Sequence, residues 1–494
     1  MHAFNRNGMS ENQQSYYFLG IGGIGMSALA RYFHTLGYVV SGYDRMATPL
    51  TRRLEQEGIA IVYADNAEAQ SPDNEVINQE IARLKQYPQD RLTVVMTPAV
   101  PHDMRLYVWL REAGYRIVKR AEVLGLITRL PHRQTDGSLQ PPIALCVAGS
   151  HGKTTTSTLL AHILFNSHLG CNAFLGGISE NYQSNLLLTP TSRYVVAEAD
   201  EYDRSFLHLT PSMTVITGIE PDHLDIYGTA EGYQEGFEQY ARQVTDAIVL
   251  KKGFTLSEVS CPVYSYALND KADFYASHIR QQAGELWFDF HTPNETITDI
   301  RLGVPVWINI ENAVAAMAIA RLNGVTAQEL RKAVASFKGV YRRFNRLINT
   351  PELVYIDDYA HHPTEIRNAI DSVRRLYPDR FVWVIFQPHL YTRTRDFMQA
   401  FAEALTNADR LFLLPIYPAR ELPIEGITSE VLAKAVRTAA HEQDKQIQTE
   451  VIQKAETTAI LRQQLSEPHP PLVLLTIGAG DIDQLRQLLQ SLLH

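Results

Sequence analysis

The chain has 494 residues, 45% of them hydrophobic and 20% charged, with a formal net charge of −9. That length predicts about three globular domains, the negative balance argues against a nucleic-acid partner, and every apolar run is too short to span a membrane. Three scattered cysteines, Cys146, Cys171 and Cys261, argue against a disulfide framework or a thiolate metal site and suit a reducing, cytoplasmic setting. Residues 1–15 are polar, lack a secretory apolar region and read as a flexible tail.

Residues 16–138 form the first predicted domain. Short β-rich runs alternate there with amphipathic helical patterns, the punctuation of an open parallel sheet. Tyr17-Phe18-Leu19 leads into Gly20, Gly22, Gly23, Ile24 and Gly25, a Gly-x-Gly-x-x-Gly loop. Met26, Leu29, Phe33 and Leu36 then fall on one helical face, and Gly37 is placed to cap it. Asp44 ends the next strand, where a ribose-binding acid is expected. Such a loop binds a diphosphate at a helix N-terminus, and NAD and UDP both offer one. A glycine turn with no ligand is the plain alternative, and the motif by itself leaves the diphosphate unidentified.

Residues 131–142 (PHRQTDGSLQPP) are polar, proline-rich and aperiodic, which predicts a linker. The second predicted domain, 139–338, opens on the strand Ile143–Ala148 and runs straight into Gly149, Ser150, His151, Gly152, Lys153, Thr154 and Thr155. Glycines let backbone amides turn inward around phosphate oxygens. Lys153 would neutralise β/γ-phosphate charge, and the Thr154 hydroxyl can hold Mg²⁺. The longer phosphate-loop pattern needs glycine where this chain has Val147, so the match is to the shorter Gly-x-x-Gly-Lys-Thr form. Two further strands end in acid-rich loops, Glu198 to Asp203 and Glu220 to Asp225. Solvated surface acids account for most of these carboxylates. Glu198 and His223 are the metal candidates, because both follow strand ends in the domain that carries Lys153. Between about 270 and 307 the pattern shortens to alternating runs such as Leu286-Trp287-Phe288-Asp289-Phe290, which predicts antiparallel hairpins.

The third predicted domain, 339–494, is a second doubly wound unit. Tyr341-Arg342-Arg343-Phe344 lies at its start, Asp357-Asp358-Tyr359-Ala360-His361-His362-Pro363 follows one strand, and Gln387 to Arg395 follows the next. Arginines at strand ends could hold a carboxylate or phosphate bidentately, with plain solvated arginines as the alternative for Arg342 and Arg395. Metal binding by His361-His362 is a poor reading, since sequence neighbours rarely face one ion.

In this order and spacing the motifs resemble the Mur ligase family over nearly the whole chain. The telling pieces are FLGIGGIGMSALA at 18–30, AGSHGKTTT at 148–156, AEADEYDRSF at 197–206, DHLDIYG at 222–228, RRF at 342–344, DDYAHHPTE at 357–365, FQPHLYTRT at 386–394 and GAGDI at 478–482. The resemblance implies an α/β protein of three domains: an N-terminal Rossmann-like domain for UDP, a central phosphate-loop ATPase domain with an antiparallel portion, and a C-terminal Rossmann-like domain. It turns the glycine loop toward a UDP-sugar, with Gly22 to Met26 at the diphosphate. It assigns ATP to Lys153 and Thr154 with Asn309, Asn312, Arg343 and Asp358, and Mg²⁺ to Thr154, Glu198 and His223. His361, His362 and Arg393 would line the side where a muramoyl carboxylate meets L-alanine.

The implied reaction is ATP-dependent ligation of L-alanine to the lactyl carboxylate of UDP-N-acetylmuramate through an acyl phosphate. Lys153 and His223 would serve the phosphoryl transfer, and His361 or His362 the deprotonation of the amine. Two departures stand out: Ile308 replaces the family's usual His before Asn309, and Leu390 its usual Arg, which shifts carboxylate recognition to Arg393. The alternatives are a ligase that attaches a murein tripeptide to the same sugar acid, an NAD-dependent oxidoreductase, and a non-catalytic nucleotide sensor.

Overall fold

The computed structural model describes residues 14–65, 71, 73–133, 138–221, 224–282, 285–419 and 421–493. It is a mixed α/β protein with three main sheets. The first sheet is parallel and has the order Ala60–Tyr63, Val39–Asp44, Ser15–Leu19, Leu92–Met96, Arg116–Lys119. Its chain order reverses beside Ser15–Leu19, so the glycine loop leaves the sheet at the switch point, where open α/β sheets place ligands.

The second sheet has ten strands, with Ile143–Ala148 paired in parallel to Tyr194–Glu198 on one side and Met213–Ile216 on the other. The phosphate loop therefore leaves a central strand. The strands Phe274–Gln282, Glu285–His291 and Thr296–Leu302 extend that sheet as neighbours. The turn Thr292–Glu295 is closed by a 2.9 Å backbone hydrogen bond, a connection short enough only for antiparallel strands. The third sheet has six strands, five of them parallel, with Asn345–Asn349 antiparallel at one edge.

The chain gathers into two compact units: Met1–Ser277, Phe290–Thr298 and Asn312–Ser336 in one, and His278–Asp289, Asp299–Glu311 and Phe337–His494 in the other. In the first, the helix Ile24–Thr35 buries Met26, Leu29 and Phe33 in one core with Phe18, Phe174, Leu186 and Val195. Two sheets thus share a single apolar cluster. Arg31 adds polar ties, reaching Glu57 at 2.7 Å and Ser184 at 2.9 Å. In the second unit, Val354, Ile356, Val384, Phe386, Leu411 and Leu475 alternate inward against the helices on one sheet face.

Two expectations change. Leu36 does not continue the buried helical face: it is the C-cap residue and 51% exposed, because the helix ends at Thr35 and Gly37 turns the chain at φ +89°. The linker contains a small ladder, His132–Arg133 with Leu139–Gln140, instead of being wholly irregular. Among the described residues no helix is long and apolar enough to cross a membrane.

Candidate active site

At the first sheet's switch point, Gly20 has φ +81° and a side chain there would press on Thr97. The Gly22 amide donates to Asp44 Oδ2 at 2.7 Å, and the Arg45 amide to Asp44 Oδ1 at 2.8 Å. Asp44 thus shapes the loop from behind, both its oxygens engaged by backbone. Gly23, Ile24, Gly25 and Met26 line a cavity of about 250 Å³ whose lining also includes Glu198 and Asp200. Arg120 also lines it, lies over Gly25 where a side chain would collide with its guanidinium, and pairs with Asp200 at 3.2 Å. Sequence reading passed over Arg120, because its partners are distant in the chain.

The phosphate loop has the expected strand–loop–helix frame. Gly149 has φ +122°, and a side chain there would overlap Thr217. Gly152, at φ +82°, is the N-cap of helix Lys153–Phe165. The helix N-terminus thereby presents amides with partial positive charge. Thr154 is buried in its first turn. His151 contributes its carbonyl, which accepts from Thr217 Oγ1. Thr155 is the third residue of the helix. Asn312 lies close enough to Gly152 that a Cβ there would sit 2.7 Å from its Oδ1, and the same oxygen accepts from Thr156 Oγ1 at 3.3 Å. Ser150 Oγ donates to the Glu220 carbonyl at 2.7 Å.

Lys153 Nζ donates to the Gly149 carbonyl at 2.6 Å, the Ser150 carbonyl at 3.3 Å and Glu201 Oε1 at 2.9 Å. Burial opposes its charge, but Glu201, Asp200 and Glu198 outweigh that and hold the ammonium above its ordinary value. Burial pushes the Glu201 carboxyl up to about 7, with Lys153 opposing the shift.

Glu198 ends its strand against Gly176, where any side chain would overlap its carboxylate. No group of three His, Cys, Asp or Glu side chains among the described residues could hold a metal unaided. Thr154 and Glu198 supply hard oxygen donors, a set that fits a cation whose shell is completed by phosphate oxygens and water. His223 lies outside the described residues.

The second unit carries its own constellation. Asp358 accepts the Phe344 amide at 2.9 Å and the Ala360 amide at 2.7 Å, and burial raises its carboxyl to about 6. Arg342 is buried rather than solvated: it donates to the Gly478 carbonyl at 2.5 Å and lies 3.5 Å from buried Asp357. It and Arg343 both stack on the Tyr359 ring. Arg395 is exposed and pairs with its neighbour Asp396 at 2.7 Å, as the solvated alternative had it.

The adjacent histidines divide their work. His362 is the N-cap of helix Pro363–Leu376, its Nδ1 accepting the Thr364 amide at 3.3 Å while Glu365 completes the capping box. His361 instead faces His389, ring centroids 6.1 Å apart. Burial lowers His361 to about 4, Arg393 and Arg343 adding to that and Glu365 opposing it. His389, which sequence reading did not select, is likewise lowered to about 4, by burial and then by Arg393. Leu390, in place of an arginine, adopts φ +71°. Asn309 lies on helix Trp307–Leu322 and is buried.

Comparison with known proteins covers nearly all of the chain. Three family profiles match in succession: "Mur ligase family, catalytic domain" over 15–131, "Mur ligase middle domain" over 147–320 and "Mur ligase, glutamate ligase domain" over 342–480. A UDP-N-acetylmuramate–L-alanine ligase of Porphyromonas gingivalis is 48% identical, covering 96% of this chain and 99% of that protein. The same-named protein of Flavobacterium johnsoniae is 42% identical over 98% of this chain and 99% of its own length. The crystal structure of UDP-N-acetylmuramate-alanine ligase from Thermotoga maritima matches with a TM-score of 0.74 and 26% identity, covering 97% of this chain and all of that one. A murein peptide ligase structure from Psychrobacter arcticus shares the fold, with a TM-score of 0.64 and 22% identity over 97% and 98% of the two chains.

Proposed function

Because the chain belongs to the Mur ligase family, we propose that it joins L-alanine to the lactyl carboxylate of UDP-N-acetylmuramate, using ATP, in peptidoglycan precursor synthesis. The observation that carries this reading is the single cavity lined by both the glycine loop Gly23–Met26 and Glu198. A diphosphate on the loop leaves a sugar acid extending toward the carboxylates beside Lys153. Asp44 holds the glycine loop through the Gly22 and Arg45 amides, and family membership, rather than this acid, favours a UDP-sugar over NAD there. The supply of ATP and the three buried thiols favour work in the cytoplasm.

A carboxylate resists an amine because its oxygen is a poor leaving group; an acyl phosphate removes that obstacle. For the phosphoryl transfer, Lys153, the amides of the phosphate loop and the N-terminus of its helix would draw charge from the γ-phosphate and hold it in line. Thr154, Glu198 and His223 would hold Mg²⁺ together with phosphate oxygens, and the ion when bound neutralises phosphate charge. Asn309, Asn312, Arg343 and Asp358 would complete the ATP contacts.

In the second unit, Arg393 would take the α-carboxylate of L-alanine. That binding neutralises one of the cations depressing His361, so its basicity rises when the amino acid arrives. His361 could then accept the ammonium proton. His362 is the weaker candidate, since its Nδ1 already accepts a backbone amide.

Phosphate release from ATP, measured with UDP-N-acetylmuramate in the presence and absence of L-alanine, tests the reading. Release that requires all three substrates and disappears in Lys153→Ala is the expected result. Release restored by a murein tripeptide but not by L-alanine would overturn the choice of nucleophile.

A further inference from the structure

The three hydrogen-bond donors of the Lys153 ammonium point inward, to two carbonyls of its own loop and to Glu201. An ammonium has three donors, so phosphate oxygens can gain one only by displacing an acceptor already in place. Glu201 is the acceptor that carries charge. It is 2% exposed, and its second oxygen has no hydrogen-bond partner among the described residues.

The turn that holds Glu201 is firmly built. Its carbonyl accepts from Tyr227 Oη at 2.6 Å and from the Arg204 amide at 3.0 Å, while Asp203 and Arg204 turn back at φ +53° and +54°. Nearby cations are engaged elsewhere: Lys119 pairs with Asp203, Arg120 with Asp200, and Arg204 lies over the Tyr227 ring. When Lys153 turns to a phosphate, Glu201 loses its cation and either stays buried as a bare carboxylate or takes up a proton, and both outcomes forfeit the ion pair.

We propose that Glu201 is an internal counter-ion that competes with the nucleotide phosphates for Lys153, weakening nucleotide binding and hastening the release of ADP. The role rests on the assignment of ATP to the phosphate loop. Glu201 touches no reacting atom; it acts through Lys153 as a positioning residue. While the nucleotide is absent it holds the ammonium folded over the loop, and after phosphoryl transfer it offers Lys153 a place to return to.

Titration of the full-length protein with a fluorescent MgADP derivative tests this without requiring turnover. Glu201→Gln should bind MgADP ~10-fold more tightly, the scale of one lost charge–charge competition, while both kcat and KM for ATP fall as product release slows. Glu201→Asp, which keeps the charge on a shorter arm, should lie between wild type and the Gln variant. In a Lys153→Ala background, Glu201→Gln should leave MgADP affinity unchanged, because there is no ammonium to compete for. Unaltered affinity in Glu201→Gln, with only a lower melting temperature, would reduce Glu201 to a structural residue and leave the ATP assignment standing. Weaker binding would show that Glu201 aims Lys153 at the phosphates and would overturn the competition. Failure of the wild type to bind MgADP would overturn the ATP assignment itself.

Discussion

Two histidines adjacent in sequence have different surroundings, and single substitutions separate them. His361 lies among Arg393, Arg343 and His389, whereas His362 caps a helix. His361→Asn should lower kcat by about 10²–10⁴-fold, the usual contribution of a positioned base, while UDP-N-acetylmuramate affinity, read by calorimetry, stays unchanged. His362→Asn should stay within a few-fold of wild type, because asparagine is a good N-cap; His362→Ala should lose about 1 kcal/mol of stability. Equal kinetic losses in both Asn variants would return the choice of base to an open question. The sequence reading had no means to separate the pair. Their roles follow from the chain's return at Gln387 to Arg393, which brings His389 and Arg393 to His361 but leaves His362 against the helix end and Phe397.

The strand–loop–helix elements were the most legible, because their signals are local. Glycines at 20, 149 and 152 marked backbone turns, and all three have positive φ. Gly149→Ala should therefore cost about 1–3 kcal/mol from backbone strain alone, beyond the overlap with Thr217, and should abolish nucleotide binding. Chemical denaturation and the MgADP titration read the two effects separately. Less legible were ties across the chain, which have no period. Lys153 meets Glu201, Arg120 meets Asp200, and His162 of the phosphate-loop helix meets Tyr182 at 2.7 Å and Ser336 at 3.0 Å.

His162 carries a pH dependence of its own, because burial lowers its pKa to about 4. The folded state therefore resists a proton that the unfolded chain takes at its ordinary value. The stability due to neutral His162 is fully present above about pH 6.5 and is lost as the pH falls toward 4, by up to about 3 kcal/mol. Melting temperatures measured across that range should slope downward with acidity, and His162→Gln should remove that part of the slope.

At the scale of the molecule, the family resemblance conveyed the succession of three α/β sheets but not how the first two are joined. The reason lies in Phe174, Leu186 and Val195: each reads as an ordinary residue of the second sheet, yet each contributes to the core beneath the glycine-loop helix. Phe174→Ala should cost about 3–5 kcal/mol and should weaken UDP-N-acetylmuramate binding as well, since Phe174 also lines the cavity. A stability loss with sugar affinity untouched would separate core from cavity.

The shared core has a consequence for motion. With Arg31 anchored to Glu57 and Ser184 above it, the glycine loop and the phosphate loop are mounted on one chassis rather than across a hinge. Spin labels at Leu36 and Val263, both exposed, should give one narrow distance distribution that nucleotide and sugar leave unmoved. The seats for the sugar diphosphate and for the ATP phosphates would then be in register before either ligand arrives, leaving the search for geometry to the groups that lie outside this core.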